Sequence, residues 1–354
     1  MPIDRRSALA LAALAPVAAR ASTAAPLPAC LSANENPLGP GPNARAAIAA
    51  STADFSRYGG ASLRQLRARI AGHENLPEDH VVIGAGSADI LAAAATAFGM
   101  RGQRVVAPAP TFDHLQSVAK RLGGNIDPVP LLTDGDIDLA GLAAKADGAA
   151  LVYLCNPNNP TAKLLKGDTL RRFAAGLKTP LFVDEAYMEL TATPAADTLT
   201  DRVRAGDPVI VSRTFSKGHG LAGLRMGYAL ARPDLAKQLA DARFSIFGAP
   251  QVAIAQAALA DTAFLAAARI SITTERARIE AALDALKLPR MESHANFVFF
   301  NSGRPVGALR KQLETDGVII AERWTDTHPQ WVRVSTGLPA DVTRFIIALN
   351  RAYA

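Results

Sequence analysis

"SRTFSKGHGLAGLRMGY", residues 212–228, follows the apolar run "PVIV" (208–211) and governs how the rest of the chain is read. The run is a short strand. The stretch after it holds one lysine, Lys217, beyond a hydroxyl-rich turn (Ser212, Thr214, Ser216) and among four glycines, with Arg225 eight positions on. In parallel α/β sheets, ligands bind outside the carboxyl ends of the strands. A strand that runs straight into such a loop therefore asks whether the other strands end alike.

They do. "HVVIGAG" (80–86), "QRVVAPAPTF" (103–112), "AALVYLCNPNNPT" (149–161) and "PLFVDEAY" (180–187) are short apolar strands, each running into a polar or Gly/Pro-rich loop. Helical patterns lie between them. Residues 61–73 place Leu63, Leu66 and Ile70 at helical spacing, 87–99 form a helix capped by Ser87, and 169–178 form another. The alternation predicts an α/β fold whose large domain is built on a mostly parallel, doubly wound sheet. From about residue 250 the pattern changes to two long helices (251–269 and 272–287), the strands "ANFVFF", "GVIIA" and "WVRVST", and a closing helix (340–352). That predicts a smaller α+β domain over 249–354, beside a large domain over 51–248. Residues 22–50 form an N-terminal strap, since "LSANENPLGPGP" (31–42) is too rich in Pro and Gly for a helix or strand.

Composition narrows the function. A chain of 354 residues with 49% hydrophobic and 20% charged residues can bury a large core, and no solenoid repeat or coiled-coil heptad is present. The formal charge is +6, but the basic residues are scattered rather than gathered in a stripe, which argues against nucleic acid and suits a small anionic substrate. Two cysteines, Cys30 and Cys155, make neither a zinc site nor a disulfide framework. No metal is expected.

The first 21 residues read differently. The twin arginine Arg5-Arg6, the Ala/Leu-rich run 8–19 and Ala19-Arg20-Ala21 fit a twin-arginine export signal, which predicts a periplasmic or exported protein. An Ala-rich extension and, at Cys30, a lipoprotein box are the other readings. The run is too short to span a bilayer.

The strand ends supply the chemistry. "GAGS" (84–87) brings backbone N–H groups to a helix start, where a phosphate is favoured, although it lacks the third glycine of a dinucleotide fingerprint. "PTF" presents Phe112, "CNPNNPT" presents Asn159, and "VDEAY" presents Asp184 and Tyr187. A carboxylate at the end of an apolar strand is costly to bury without a cation.

"NENPLGP" (34–40), "GAGSAD", "PTF", "CNPNNPT", "VDEAY", the opening stretch and "VRVSTG" (332–337) stand in the order and spacing of the class I and II pyridoxal-phosphate-dependent aminotransferases. The chain resembles that family from about Leu31 to its end, with the histidinol-phosphate aminotransferases as nearest subgroup. The resemblance implies a pyridoxal-phosphate-dependent transferase fold, the cofactor pyridoxal 5'-phosphate, and transfer of an amino group between an α-amino acid and a 2-oxo acid. It makes Lys217 the catalytic residue, both anchor of the cofactor and acid/base. It gives Asp184 the pyridine nitrogen, Asn159 and Tyr187 the phenolic oxygen, and Phe112 the ring face. Ser87, Ala88, Thr214, Ser216 and Arg225 become the phosphate cup. Tyr58 in "RYGG" would reach the phosphate from the other subunit of a homodimer. Arg333 would grip the substrate carboxylate, with Asn34 beside it.

Three departures from the subgroup stand out. "GVIIAERW" (317–324) has Ala321 where the subgroup carries an arginine for the distal phosphate. Arg323 follows two residues later, but in a strand the two positions lie roughly 6 to 7 Å apart. Leu38 replaces a frequent tyrosine, and Ala162 replaces a glycine, which is tolerable where the backbone needs no positive φ. The expectation is an aminotransferase for an unphosphorylated or differently charged amino acid. The competing readings are a decarboxylase of the threonine-phosphate type, a non-catalytic binding protein on the same fold, and a dinucleotide oxidoreductase, which would need the complete glycine fingerprint.

Overall fold

The structure is a computed structural model and describes residues 27–354. The export signal expected over residues 1–21 lies outside the described residues. Eleven strands are present among the described residues: β1 (Ala29–Leu31), β2 (Val81–Gly84), β3 (Arg104–Ala109), β4 (Asn125–Pro130), β5 (Leu151–Cys155), β6 (Leu181–Asp184), β7 (Val209–Thr214), β8 (Gly227–Ala231), β9 (Phe297–Asn301), β10 (Val318–Ile320) and β11 (Trp331–Ser335).

Seven of them form one sheet in the order β2-β8-β7-β6-β5-β3-β4. β3 to β7 pair in parallel, and β8 alone runs antiparallel, between β2 and β7. Helices cover both faces, so β5, β6 and β7 are buried along their whole length; each opens on Val, Ile, Leu or Phe, and the polar residues of β6 and β7 fall at their carboxyl ends. The doubly wound α/β sheet is thus as expected, with one reversed strand added.

The second unit joins β9 antiparallel to β11 and β1 parallel to β10, under the helices Thr262–Ala285, Val306–Thr315 and Pro339–Tyr353. Core membership cuts across the division expected at residue 249. Val252, Ile254, Ala255 and Ala258 of the helix Ala249–Leu259 pack in the core of the large sheet, whereas Ala29 and Leu31 of the strap pack with Val298, Phe300 and Phe345 in the smaller core. From Ser32 to Gly41 the strap has neither helix nor strand, and it links the two units across the strand ends.

Two local expectations change. The break between the long helices falls at Ala260–Asp261, not at 270, because the Asp261 side chain accepts from Phe264 N and starts the second helix there. Apolar periodicity continues through the break and hides it. Ser87 is the first helical residue rather than the cap: Gly86 holds the cap position at φ 79° and no side chain caps the helix. The positive φ favours glycine there, and a Cβ on Gly86 would sit 2.5 Å from Arg225 Nη2 and displace that guanidinium.

Candidate active site

The carboxyl ends of β5, β6 and β7, the start of the helix Ser87–Phe98 and the strap enclose a cavity of about 430 Å³. Its walls include twelve of the residues singled out in the sequence: Lys217, Ser87, Ala88, Phe112, Asn159, Asp184, Tyr187, Thr214, Ser216, Arg225, Arg333 and Asn34. Tyr58 is not among them. It is 82% exposed and bridges Gly248 on the surface, so this chain does not bring it to its own cavity.

Lys217 lies just past β7. Its Nζ donates to the Asn34 carbonyl oxygen at 2.9 Å and stands 5.7 Å from the Tyr187 ring centre. Burial lowers its pKa from 10.5 to about 8, and the neighbouring positive charge of Arg333 adds to the shift. An amine in that range gives up and regains a proton near neutrality.

Asp184 closes β6. It is 1% exposed, accepts from Ser212 Oγ at 2.8 Å, and makes no salt bridge among the described residues. Burial raises its pKa to about 6, against the Ser212 hydrogen bond, which works the other way. A positively charged nitrogen delivered into the cavity would supply the missing partner.

The Asn34 side chain, on the residue whose carbonyl accepts from Lys217, belongs to a polar cluster. Asn34, at φ 52°, donates from Nδ2 to Tyr187 Oη at 3.1 Å, and its Oδ1 accepts from Ser335 Oγ at 2.7 Å. Burial pushes the Tyr187 phenol upward. Arg333, on β11, donates to Asn159 Oδ1 at 2.9 Å and to the Ser32 carbonyl at 2.7 Å, while its buried Nε has no partner. Burial lowers this guanidinium to about 10. Among the described residues this buried cation meets no carboxylate, which suits a carboxylate ligand.

At the opposite end of the cavity, Thr214 Oγ1 and Ser216 Oγ lie 2.9 Å apart, and Arg225 Nη1 approaches Ser216 Oγ at 3.5 Å. Arg225 adopts φ 57°, which turns its side chain back over Gly86. Gly227 is equally constrained, since a Cβ there would sit 2.8 Å from Ser87 N. Hydroxyls, a guanidinium and helix-start amides together make an anion cradle.

Four further features have roles at the site that the sequence did not assign them. Ser212 pairs in register with Asp184, and Cys155 pairs with Asp184 from the other side. Cys155 is fully buried, which pushes its thiol well upward and keeps it inert. Arg323 lines the cavity, and Asp113 holds it by an ion pair at 3.3 Å. The fourth is Ala162, whose φ is 61°, so the turn that carries Asn159 does need a left-handed residue and the alanine occupies it under strain. β10 ends at Ile320, Ala321 forms a single bridge to Arg333 on β11, and Arg323 beyond it pairs with Asp113.

The sequence profile described as aminotransferase class I and II matches residues 29–349. The chain belongs to this family. It is 38% identical over 329 residues to the histidinol-phosphate aminotransferase of Symbiobacterium thermophilum, covering 91% of this chain and 90% of that protein. It is 33% identical to the aromatic amino acid aminotransferase of Cutibacterium acnes, covering 91% and 92%. The crystal structure of the histidinol-phosphate aminotransferase from Sinorhizobium meliloti in complex with pyridoxal-5'-phosphate superposes with a TM-score of 0.86 at 30% identity, over 92% of this chain and 91% of that one. The protein is a pyridoxal-phosphate-dependent aminotransferase. The cavity fits that cofactor: a lone buried carboxylate for the ring nitrogen, a buried amine for the aldehyde carbon, and the anion cradle for the phosphate. Among the described residues no cluster is arranged to hold a metal, and no single helix is long and apolar enough to cross a membrane.

Proposed function

We propose that the donor is an unphosphorylated α-amino acid whose carboxylate binds Arg333, and that Lys217 Nζ moves the α-proton. When bound, pyridoxal phosphate supplies the electron sink for charge developing at the α-carbon. Asp184 would keep the ring nitrogen protonated. Asn159 and Tyr187 would meet the phenolic oxygen, Phe112 would cover the ring, and Ser87, Ala88, Thr214, Ser216 and Arg225 would hold the phosphate.

The observation that carries the donor class is the contrast between the two arginines. Arg333 is buried, with an unpartnered Nε and no carboxylate, whereas Arg323 already has Asp113. Ala321 adds no charge. A second reading stands beside it: Arg323 lines the same cavity and is half-exposed, so a phosphate able to displace Asp113 would find a cation there. Histidinol phosphate carries such a group.

Turnover of purified enzyme with histidinol phosphate and a panel of free amino acids, each with a 2-oxo acid, decides between them. Free amino acids should be the better donors, and Lys217→Ala should abolish both turnover and the visible absorbance of the lysine-linked cofactor. Preference for histidinol phosphate by a large factor would overturn the donor class. Release of CO₂ without need of a 2-oxo acid would favour the decarboxylase.

The homodimer belongs to the same proposal. Tyr58 is supported as a partner-directed residue by its exposure, and Phe55, Phe244 and Ile246 are exposed with it on segments joined by the Tyr58–Gly248 bridge. Tyr58→Phe in a dimer of measured mass should weaken cofactor retention; a monomer with full activity would end this reading. Export by residues 1–21 is likewise proposed, and is checked by the mass of the mature protein from periplasmic and cytoplasmic fractions.

A further inference from the structure

The Arg333 guanidinium is held at its edge and over its face by different means. Nη1 and Nη2 donate to Asn159 Oδ1 and the Ser32 carbonyl, and such N–H bonds lie in the guanidinium plane. Two aromatic rings stand over the group: its Cζ is 5.6 Å from the centre of Phe297 and 5.3 Å from that of Trp324. Both lie within roughly 6 Å, the reach of a cation on an aromatic face. Strand register accounts for the first ring. Phe299 is the cross-strand partner of Arg333 in the pair of β9 and β11, and Phe297, two residues earlier, shares its face. Trp324 comes from the segment between β10 and β11, which no strand register places.

Trp324 is kept there under strain. Its φ is 59°, in the left-handed region that bulky side chains seldom adopt, and such a conformation persists only where its surroundings over-determine it. Here they do. The Trp324 carbonyl accepts from His328 N at 2.7 Å and Thr327 N at 3.2 Å, its ring packs edge-on against Phe299 at 6.3 Å, and the Arg323 guanidinium stands 5.0 Å from the ring centre. Arg323 is held in turn by Asp113. Trp324 is half-buried and does not line the active-site cavity, whereas Arg333 does, so any effect of the ring on a ligand there passes through Arg333.

We propose that Trp324 is a positioning residue for Arg333: together with Phe297 its ring fixes the plane of the guanidinium, so that the fork is already set when the donor's carboxylate arrives. A preorganised group loses less freedom on binding. The carboxylate contact is made before and during the reaction alike, so the effect belongs in KM and not in kcat. The proposal deepens the reading of Arg333 as the carboxylate clamp and rests on it.

The test titrates the holoenzyme by calorimetry with propionate, which is L-alanine without the reacting amine, and measures KM and kcat for L-alanine beside it. Trp324→Leu keeps an apolar group and removes the ring. It should weaken propionate binding and raise KM by about tenfold each, with kcat within about twofold of wild type. Trp324→Met repeats the measurement where leucine packs badly, and Trp324→Phe, which restores a ring, should recover most of the loss. In an Arg333→Lys background Trp324→Leu should add little, because a lysine has no planar fork to hold. Wild-type propionate affinity in Trp324→Leu and Trp324→Met, an equal loss in Trp324→Phe, or a loss undiminished in the Arg333→Lys background overturns the positioning role and spares Arg333. Propionate binding and alanine KM that Arg333→Lys leaves unmoved overturn the clamp and this proposal with it, as does a wild type that neither binds propionate nor turns over L-alanine.

Discussion

Asp184 and Glu185 are consecutive, both carboxylates, and both buried, yet they live in opposite worlds. Asp184 faces the cavity with one hydroxyl and no cation. Glu185 faces the other side of the sheet, where Arg213 Nε donates to it at 2.9 Å, Thr198 Oγ1 at 2.8 Å and Leu199 N at 3.0 Å. Their partners alternate too: Ser212 serves Asp184, and Arg213, the next residue on β7, serves Glu185. Period-two alternation has split one pair of strand ends into a site and a support. On the support side burial works against the charge of Arg213, but Glu185, Glu74 and Glu189 outweigh it and push its pKa well up. On the site side Asp184, Lys217 and Arg333 are each shifted toward neutrality by burial. Unpaired buried charge costs stability, and here it is the part of the molecule left for a ligand to complete.

The largest expected effect tests the site side. Asp184→Asn keeps the size and the Ser212 contact but removes the charge for the ring nitrogen. It should lower kcat/KM by about 10³-fold, the scale seen when one preorganised electrostatic contact is lost. The cofactor-free protein should melt higher than wild type, because the uncompensated carboxylate is gone. Lower stability together with retained activity would break the comparison.

Glu185→Gln is the converse. Removing one partner of a buried pair leaves Arg213 under-compensated and should cost about 3 kcal/mol in chemical unfolding, while kcat/KM per folded molecule stays close to wild type. A large catalytic loss at unchanged stability would show that the two faces are not separate.

The stability of the cofactor-free protein against pH should show both site charges. Asp184 has its folded pKa raised from 3.8 to about 6, so its contribution is fully present below 3.8 and is lost as pH rises to 6, by up to about 3 kcal/mol. Lys217 has its folded pKa lowered from 10.5 to about 8. Its contribution is fully present above 10.5 and is lost as pH falls through 8. Difference curves isolate each arm: Asp184→Asn should remove the acid one and Lys217→Met the alkaline one. An acid arm that survives Asp184→Asn would refute the assignment.

Arg333→Lys keeps the charge and gives up the fork that matches a carboxylate. Its effect should be on KM for amino acids, about 10- to 100-fold, with a smaller change in kcat. An unchanged KM would place the α-carboxylate elsewhere and detach Arg333 from the site side of the comparison.

Which of these residues a reader of the sequence could find follows from how each one is fixed. Lys217, Asp184 and Arg225 sit in ordered motifs at strand ends, so their convergence needs only the parallel sheet. Ser212 and Cys155 meet Asp184 through strand register, which periodicity does not specify. The Arg323–Asp113 pair joins residues 210 positions apart and depends on where β10 ends. Tyr58 is assigned by resemblance to the partner's site, and its exposed position away from this chain's own cavity is compatible with that assignment. The cap at Gly86 and the break at Asp261 are decided by single side-chain and backbone choices that the apolar pattern overlooks.

Ala162 gives the smallest effect and the finest test. Its left-handed backbone is held by N–H donation to the Asn158 carbonyl at 2.7 Å and by acceptance from His294 N at 2.9 Å. For a residue with a Cβ that conformation costs about 1–2 kcal/mol. Ala162→Gly removes the strain but gives up a fully buried methyl, about 0.8 kcal/mol, and adds backbone freedom to the unfolded chain, about 0.5–1 kcal/mol. The terms nearly cancel, so the melting temperature should stay within a few degrees of wild type. If the strain belongs to packing, kcat/KM will stay level as well. A fall in kcat/KM at constant melting temperature would mean that the strained turn positions Asn159 against Arg333, and would move Ala162 from the support side of the molecule to the site side.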